Sequence, residues 1–252
     1  MISSLAKASF VLGKKEYFDV ADKAVDFIIQ KMSKKDGTLN RIYRNDVVHI
    51  DAFAEDYSYF GNSLIDMYEA SFDSKYLELA KKYADILVEQ FYADGQFKQS
   101  LSKNIVINSG NSMDNATPSY NFMCSLLLIR LYHYYGNKNY LEIVKASIDK
   151  AGTYINQYPY AHSTALLVQN YLSQGPKEIV LAAETNDGAL MDIVKQAYLP
   201  CKILASSSTN MTLPILEGKK MVNGKPAIYI CKNYTCKEPI IDELVLKDSL
   251  AL

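Results

Sequence analysis

Three stretches of one pattern constrain the fold more than anything else in the chain: KKEYFDVADKAVDFIIQKM (14–32), DSKYLELAKKYADILVEQFY (73–92) and NKNYLEIVKASIDKAGTYI (137–155). Each opens on a charged or amide turn and places a tyrosine near its start, at Tyr17, Tyr76 and Tyr140. Apolar residues then follow at helical spacing, with lysines and acids between them. Such segments are one-faced helices, and each needs a layer to lie against. The first two run into KKDG and YADG, where a glycine can end a helix in the left-handed conformation. The interval from one tyrosine to the next is too long for a single helix, so each repeat holds a second one.

Those second helices read MISSLAKASFVLG, EDYSYFGNSLIDMYEASF (55–72), TPSYNFMCSLLLIRLYHYYG (117–136) and YAHSTALLVQNYLSQ (160–174). They are apolar or small nearly all round, as helices buried on both sides must be. Alternating buried and amphipathic helices predict a mainly α protein, an α/α toroid arrangement over residues 1–175 with about four inner helices. Segments 37–54 and 95–116 would be the long loops ahead of inner helices. From Pro176 the texture changes: KEIVLAAE, GALMDIVKQAYLP, CKILASSS and KPAIYICKN read as strand, helix, strand, strand. Residues 176–252 are therefore expected to form a small α/β element, closed by a helix DELVLKDSL with Asp242 as its N-cap.

Charge argues against polyanionic partners. Twenty-seven basic residues face 28 acidic ones, for a net charge of -1, so neither nucleic acid nor an anionic membrane is an expected partner. No basic segment followed by an apolar stretch opens the chain, and no run approaches the roughly 20 apolar residues of a spanning helix. A soluble, cytoplasmic protein is the expectation. Four cysteines, Cys124, Cys201, Cys231 and Cys236, are then expected as reduced thiols. The CKNYTC spacing of Cys231 and Cys236 is not CxxC; they read as packing thiols, with a redox or metal role as the alternative. No metal or cofactor is expected, since GALMDIV lacks GxGxxG and no ligand cluster is visible.

FAEDYSYFGNSLIDMYEASFD, DNATPSYN, YLEIVKASIDKAGTYINQYP and YICKNYTCKEPIID together resemble the C-terminal half of the thioredoxin-domain-containing family that includes spermatogenesis-associated protein 20. The resemblance covers almost the whole chain, in the same order of blocks. It implies an (α/α)6 toroid of the six-hairpin glycosidase-like kind, similar also to N-acylglucosamine 2-epimerases and incomplete here with four inner helices of six, followed by a short α/β tail and a role in carbohydrate metabolism. In that family a thioredoxin-like domain precedes the toroid, and MISSLAKAS matches a run inside an inner helix. The expectation is a fragment that works with a separately encoded N-terminal half or by self-association.

In toroids of this kind the inner helices start around the mouth of a funnel, so their first turns and preceding loops line the ligand site. Carboxylates beside aromatic rings suit sugar recognition, because rings cover the apolar face of a pyranose while acids and amides bond its hydroxyls. Two carboxyl groups from different helices can also act as acid and base on a glycosidic bond, and Asp56 with Asp114 is the candidate catalytic pair. Neighbours on a helix diverge by about 100 degrees, so Glu55 and Asp56 cannot face the funnel equally. The row Asp56, Tyr59, Ser63 favours Asp56. Candidate sugar-binding residues are Glu55, Tyr57, Tyr59, Asn115, Thr117, Ser119, Tyr120, Asn121, Tyr160 and His162. Plainer roles stand beside these. Acids in a first turn are favoured by the helix dipole, Asp114 or Thr117 can cap a helix with Pro118 at its first position, and a single histidine is commonly structural. His133 and His49 lie away from inner-helix starts, which leaves epimerase chemistry to His162 alone. The alternative to an enzyme of glycoside hydrolase or sugar epimerase type is an inactive binding or scaffold module.

Overall fold

The computed structural model describes residues 1–102, 112–186, 188–208, 211–232 and 235–250. Its helical part alternates two layers. One contains α1 (Ile2–Leu12), α3 (Ala54–Ser71), α5 (Tyr120–Tyr135) and α7 (Ser163–Ser173); the other contains α2 (Lys15–Phe27), α4 (Ser74–Ile86) and α6 (Lys138–Gln157). α3 packs between α1 and α5, α5 packs against α7, and α2, α4 and α6 each back the helix before them. Most of α3 and α5 is buried, including Tyr68, Phe122 and Tyr134, as their all-round apolar character requires.

Where the sequence suggests helix-ending glycines, the chain does something else. α2 and α4 end in π-type turns, Ile28–Met32 and Leu87–Phe91, and then extend. Gly37 follows in a separate turn, while Asp94 and Gly95, both at positive φ, make the turn between short strands β3 (Tyr92–Ala93) and β4 (Gln96–Phe97). Segment 37–54, expected as a loop, holds a hairpin: β1 (Asn40–Arg44) pairs with β2 (Val47–Asp51). Asn45 and Asp46, at φ 51 and 59, supply the paired left-handed residues of a tight hairpin turn. In 95–116, residues 103–111 lie outside the described residues.

The C-terminal part is mixed α/β. β5 (Lys177–Ala182) and β6 (Lys202–Ser206) are parallel and joined through α8 (Ala189–Gln196); β7 (Ala227–Lys232) pairs antiparallel with β5, and β8 (Thr235–Cys236) with β7. β5 is buried along nearly its whole length, which explains its unbroken apolar run. α9 (Glu243–Leu250) starts at Asp242, whose carboxylate accepts the amides of Leu244 and Val245 at 2.9 and 3.0 Å. Helices and sheet share one continuous apolar core. Cys231 and Cys236 form a disulfide, which corrects the expectation of four reduced thiols. They sit directly opposite each other in the β7–β8 pair, so the hairpin itself brings the sulfurs together. Cys124 and Cys201 are free. No helix among the described residues is long and apolar enough to cross a membrane.

Candidate functional site

The start of α3 is built around two acids and one arginine. Phe53 is extended ahead of the helix, and its amide donates to Asp56 at 2.8 Å, the acid-to-cap half of a capping box. Arg41 on β1 reaches over this turn, with Nη1 2.8 Å from Asp56 and Nη2 2.5 Å from Glu55. Its guanidinium also lies 4.4 Å from the Phe53 ring centroid. Burial pushes the Asp56 carboxyl above its ordinary range, and the Phe53 amide and Arg41 oppose that push without cancelling it.

Glu55 and Asp56 open onto different clefts. Asp56, Tyr59 and Ser63 form one stripe of α3 and line a cleft of about 1000 Å³, together with Ser3, Ser4, Arg41 and Asn62 and an apolar wall of Phe27, Ile28, Phe60 and Met123. Glu55 lines a second, more polar cleft of about 640 Å³ with Gln99, Ser112, Met113, Asn115, Ser119, Tyr120 and Tyr154. Thr117 and Pro118 line both. Tyr59 fixes this shared wall, its hydroxyl donating to the Pro118 carbonyl at 2.7 Å. The structure therefore gathers Glu55, Asn115, Thr117, Ser119 and Tyr120 at one cleft, with Asp56 and Tyr59 at its neighbour.

The other expected site residues are held elsewhere. Asp114 ties two helix starts together: it accepts the Ser119 amide at 2.7 Å, the Ser163 hydroxyl at 2.8 Å and the Thr164 amide at 2.8 Å. Burial acts to raise its pKa, but these donors outweigh it and hold the carboxyl below its ordinary range. Tyr57 is buried against Tyr83 and Phe91, and its hydroxyl accepts the Leu39 amide. Asn121, also buried, accepts the Phe97 amide at 3.0 Å and so fixes β4. His162 is fully buried, with Nδ1 2.8 Å from the Tyr158 carbonyl and Nε2 3.3 Å from the Ser112 hydroxyl. Tyr160 is exposed and lines neither cleft. No group of three or more His, Cys, Asp or Glu side chains is arranged to hold a metal among the described residues.

Sequence reasoning passed over a second polar cluster, at the far end of the same helices. Arg130 on α5 meets Asp66 at 2.8 Å and Glu69 at 3.6 Å, and Lys7 on α1 meets Asp66 at 3.1 Å. Ser3 also bonds Asp66, and the Tyr134 hydroxyl donates to Glu69 and to the Leu204 carbonyl of β6. The signal was present: an arginine inside LLLIRLYHYY cannot be buried without acids, and LIDMYEAS supplies two at helical spacing.

No family model matches the chain. Over 99% of its length it is 26% identical to spermatogenesis-associated protein 20 of Rattus norvegicus, and equally so to that of Homo sapiens. The chain is related to spermatogenesis-associated protein 20. It spans 35% of the length of either of these relatives. A solved structure, the Lin0763 protein from Listeria innocua, aligns over 59% of this chain and 40% of its own, at 18% identity and a TM-score of 0.47.

Proposed function

We propose that the chain is a sugar-binding α/α module. Residues 1–175 are read as part of a six-hairpin glycosidase-like toroid, and residues 176–252 as an α/β element that backs it. The paired clefts at the start of α3 take a polyhydroxy, carbohydrate-like ligand. What carries this reading is the make-up of the smaller cleft, which the exposed Tyr154 lines together with the acid, amide and hydroxyl residues Glu55, Gln99, Asn115 and Thr117. The site binds rather than hydrolyses, because the three donors on Asp114 leave that carboxylate serving helix starts instead of a ligand. The module acts in the cytoplasm together with an N-terminal half-protein or a second copy of itself.

A panel of mono- and oligosaccharides tests the reading by calorimetry and thermal unfolding, since a ligand at 100 times its Kd stabilises the native state by about 2.7 kcal/mol. Tyr154→Ala and Asn115→Ala should remove the effect. A panel in which no saccharide binds would sink the proposal.

A further inference from the structure

The Cys231–Cys236 disulfide lines neither cleft, and its place in the sheet is a poor one for a fastening. The two residues are Cα partners in the β7–β8 pair and lie five apart in sequence, so the bond closes a turn that the strands have already made. A cross-link gains most where it joins distant parts of a chain, and this one joins a hairpin to itself. The backbone around it is held without sulfur. β7 pairs with β5 from Ala227 to Cys231, Ile228 and Ile240 exchange amide-to-carbonyl bonds of 2.8 and 2.9 Å, and the Lys237 amide donates to the Ile230 carbonyl at 3.1 Å. The two cysteines also differ in access. Cys231 is 1% exposed, whereas Cys236 stands on β8, whose two residues are both exposed and which ends the sheet order β6-β5-β7-β8. An incoming thiol meets Cys236 and not Cys231.

We propose that the Cys231–Cys236 pair is a thiol–disulfide exchange site that takes a dithiol as its substrate and is entered through Cys236. A thiolate of the dithiol attacks Sγ of Cys236; the bond to Cys231 breaks, and its electron pair stays on Cys231, which takes up a proton. The second thiolate then attacks the dithiol's own sulfur in the mixed disulfide, and Cys236 leaves with that electron pair and takes up the second proton. Two electrons and two protons thus pass from the dithiol, which departs as a disulfide, to the cystine, which becomes two thiols. A single thiol serves poorly. The strand register keeps the displaced Cys231 directly opposite Cys236, so Cys231 expels a monothiol and re-forms the bond, whereas a dithiol brings a competing sulfur of its own.

The probe is dithiothreitol, added to the folded full chain, with iodoacetamide quenching and peptide mapping to follow Cys231 and Cys236 apart from Cys124 and Cys201. Opening is expected at a rate proportional to dithiothreitol and unchanged by urea below the unfolding transition. Mercaptoethanol at the same thiol concentration should leave at least about tenfold less of the pair open. In Cys231→Ser, which cannot re-form the bond, Cys236 should take up oxidised glutathione as a stable mixed disulfide; in Cys236→Ser the buried Cys231 should react at least about tenfold more slowly. A bond in the wild type that opens only as urea unfolds the chain would be a structural staple and would overturn the proposal. Equal opening by the monothiol, or equal reactivity of the two single-cysteine variants, would overturn it as well.

Discussion

Helix α3 carries two acids and meets one arginine at each of its ends, and the two ends behave differently. At its start, Glu55 and Asp56 share Arg41, whose side chain is 31% exposed; near its finish, Asp66 and Glu69 share Arg130, which is 8% exposed. The charge inventory is nearly the same, but burial is not. Arg130 comes from the middle of a core helix and its partners also bond Ser3, Lys7 and Tyr134, so the cluster locks α1, α3, α5 and β6 in one arrangement. Arg41 comes from an exposed hairpin and leaves its acids bordering two open clefts. Paired charges read as a site or as a fastening only once their access to water is known.

Arg130→Met should break the buried end most severely. It leaves Asp66 and Glu69 without their guanidinium in a place where neither can be hydrated, and about 3–5 kcal/mol of stability should be lost in urea denaturation. A loss below about 1 kcal/mol would place the two ends on the same footing and end the comparison. Next in size comes Asp114→Ala, which removes the acceptor of two helix-start amides and should cost about 1–2 kcal/mol at neutral pH.

Acid titration sharpens the contrast, because the carboxyls shift in opposite directions. Asp66 and Asp114 are held below their ordinary range, Asp66 by Arg130 and Lys7 against the opposing effect of burial. Their stabilisation is present above an unfolded pKa of about 3.9 and disappears as pH falls through their lower native values. The difference between wild type and Asp114→Asn should therefore shrink toward strong acid. Asp56 is raised, so its contribution is fully present below the unfolded value and is lost as pH rises through the native one. Wild type should lose ground to Asp56→Asn between acid and neutral pH, as followed by urea midpoints. Arg41→Ala should change stability by less than about 1 kcal/mol, since its pairs are half-exposed.

The helices were legible because their apolar spacing is local: each segment states its own period. The hairpin within 37–54, expected as a loop, was not legible, because its alternation is short and both strands face largely toward solvent, so no buried stripe marked them. Within the site, the divergence of Glu55 from Asp56 was readable from helical geometry. The fates of Tyr57, Asn121 and His162 were not, because each is set by a partner distant in sequence or by a turn whose shape precedes it: Leu39 for Tyr57, β4 for Asn121, the Tyr158 carbonyl for His162. Asp114 was readable as a helix cap, yet its second helix start, at Ser163, was not. The disulfide depended on the register of two strands that the spacing of CKNYTC alone does not reveal.

Glu55→Gln is the smallest perturbation of all, expected to move stability by no more than about 0.5 kcal/mol. That makes it the sharpest test of whether the start of α3 is open to a ligand. Saccharide titration calorimetry on wild type and Glu55→Gln, with urea midpoints taken on both, measures it directly. The account predicts saccharide binding by the wild type and about a tenfold weaker Kd in the variant, a change of about 1.4 kcal/mol, at an unchanged midpoint. Equal affinity in the two proteins, or none in either, would contradict it.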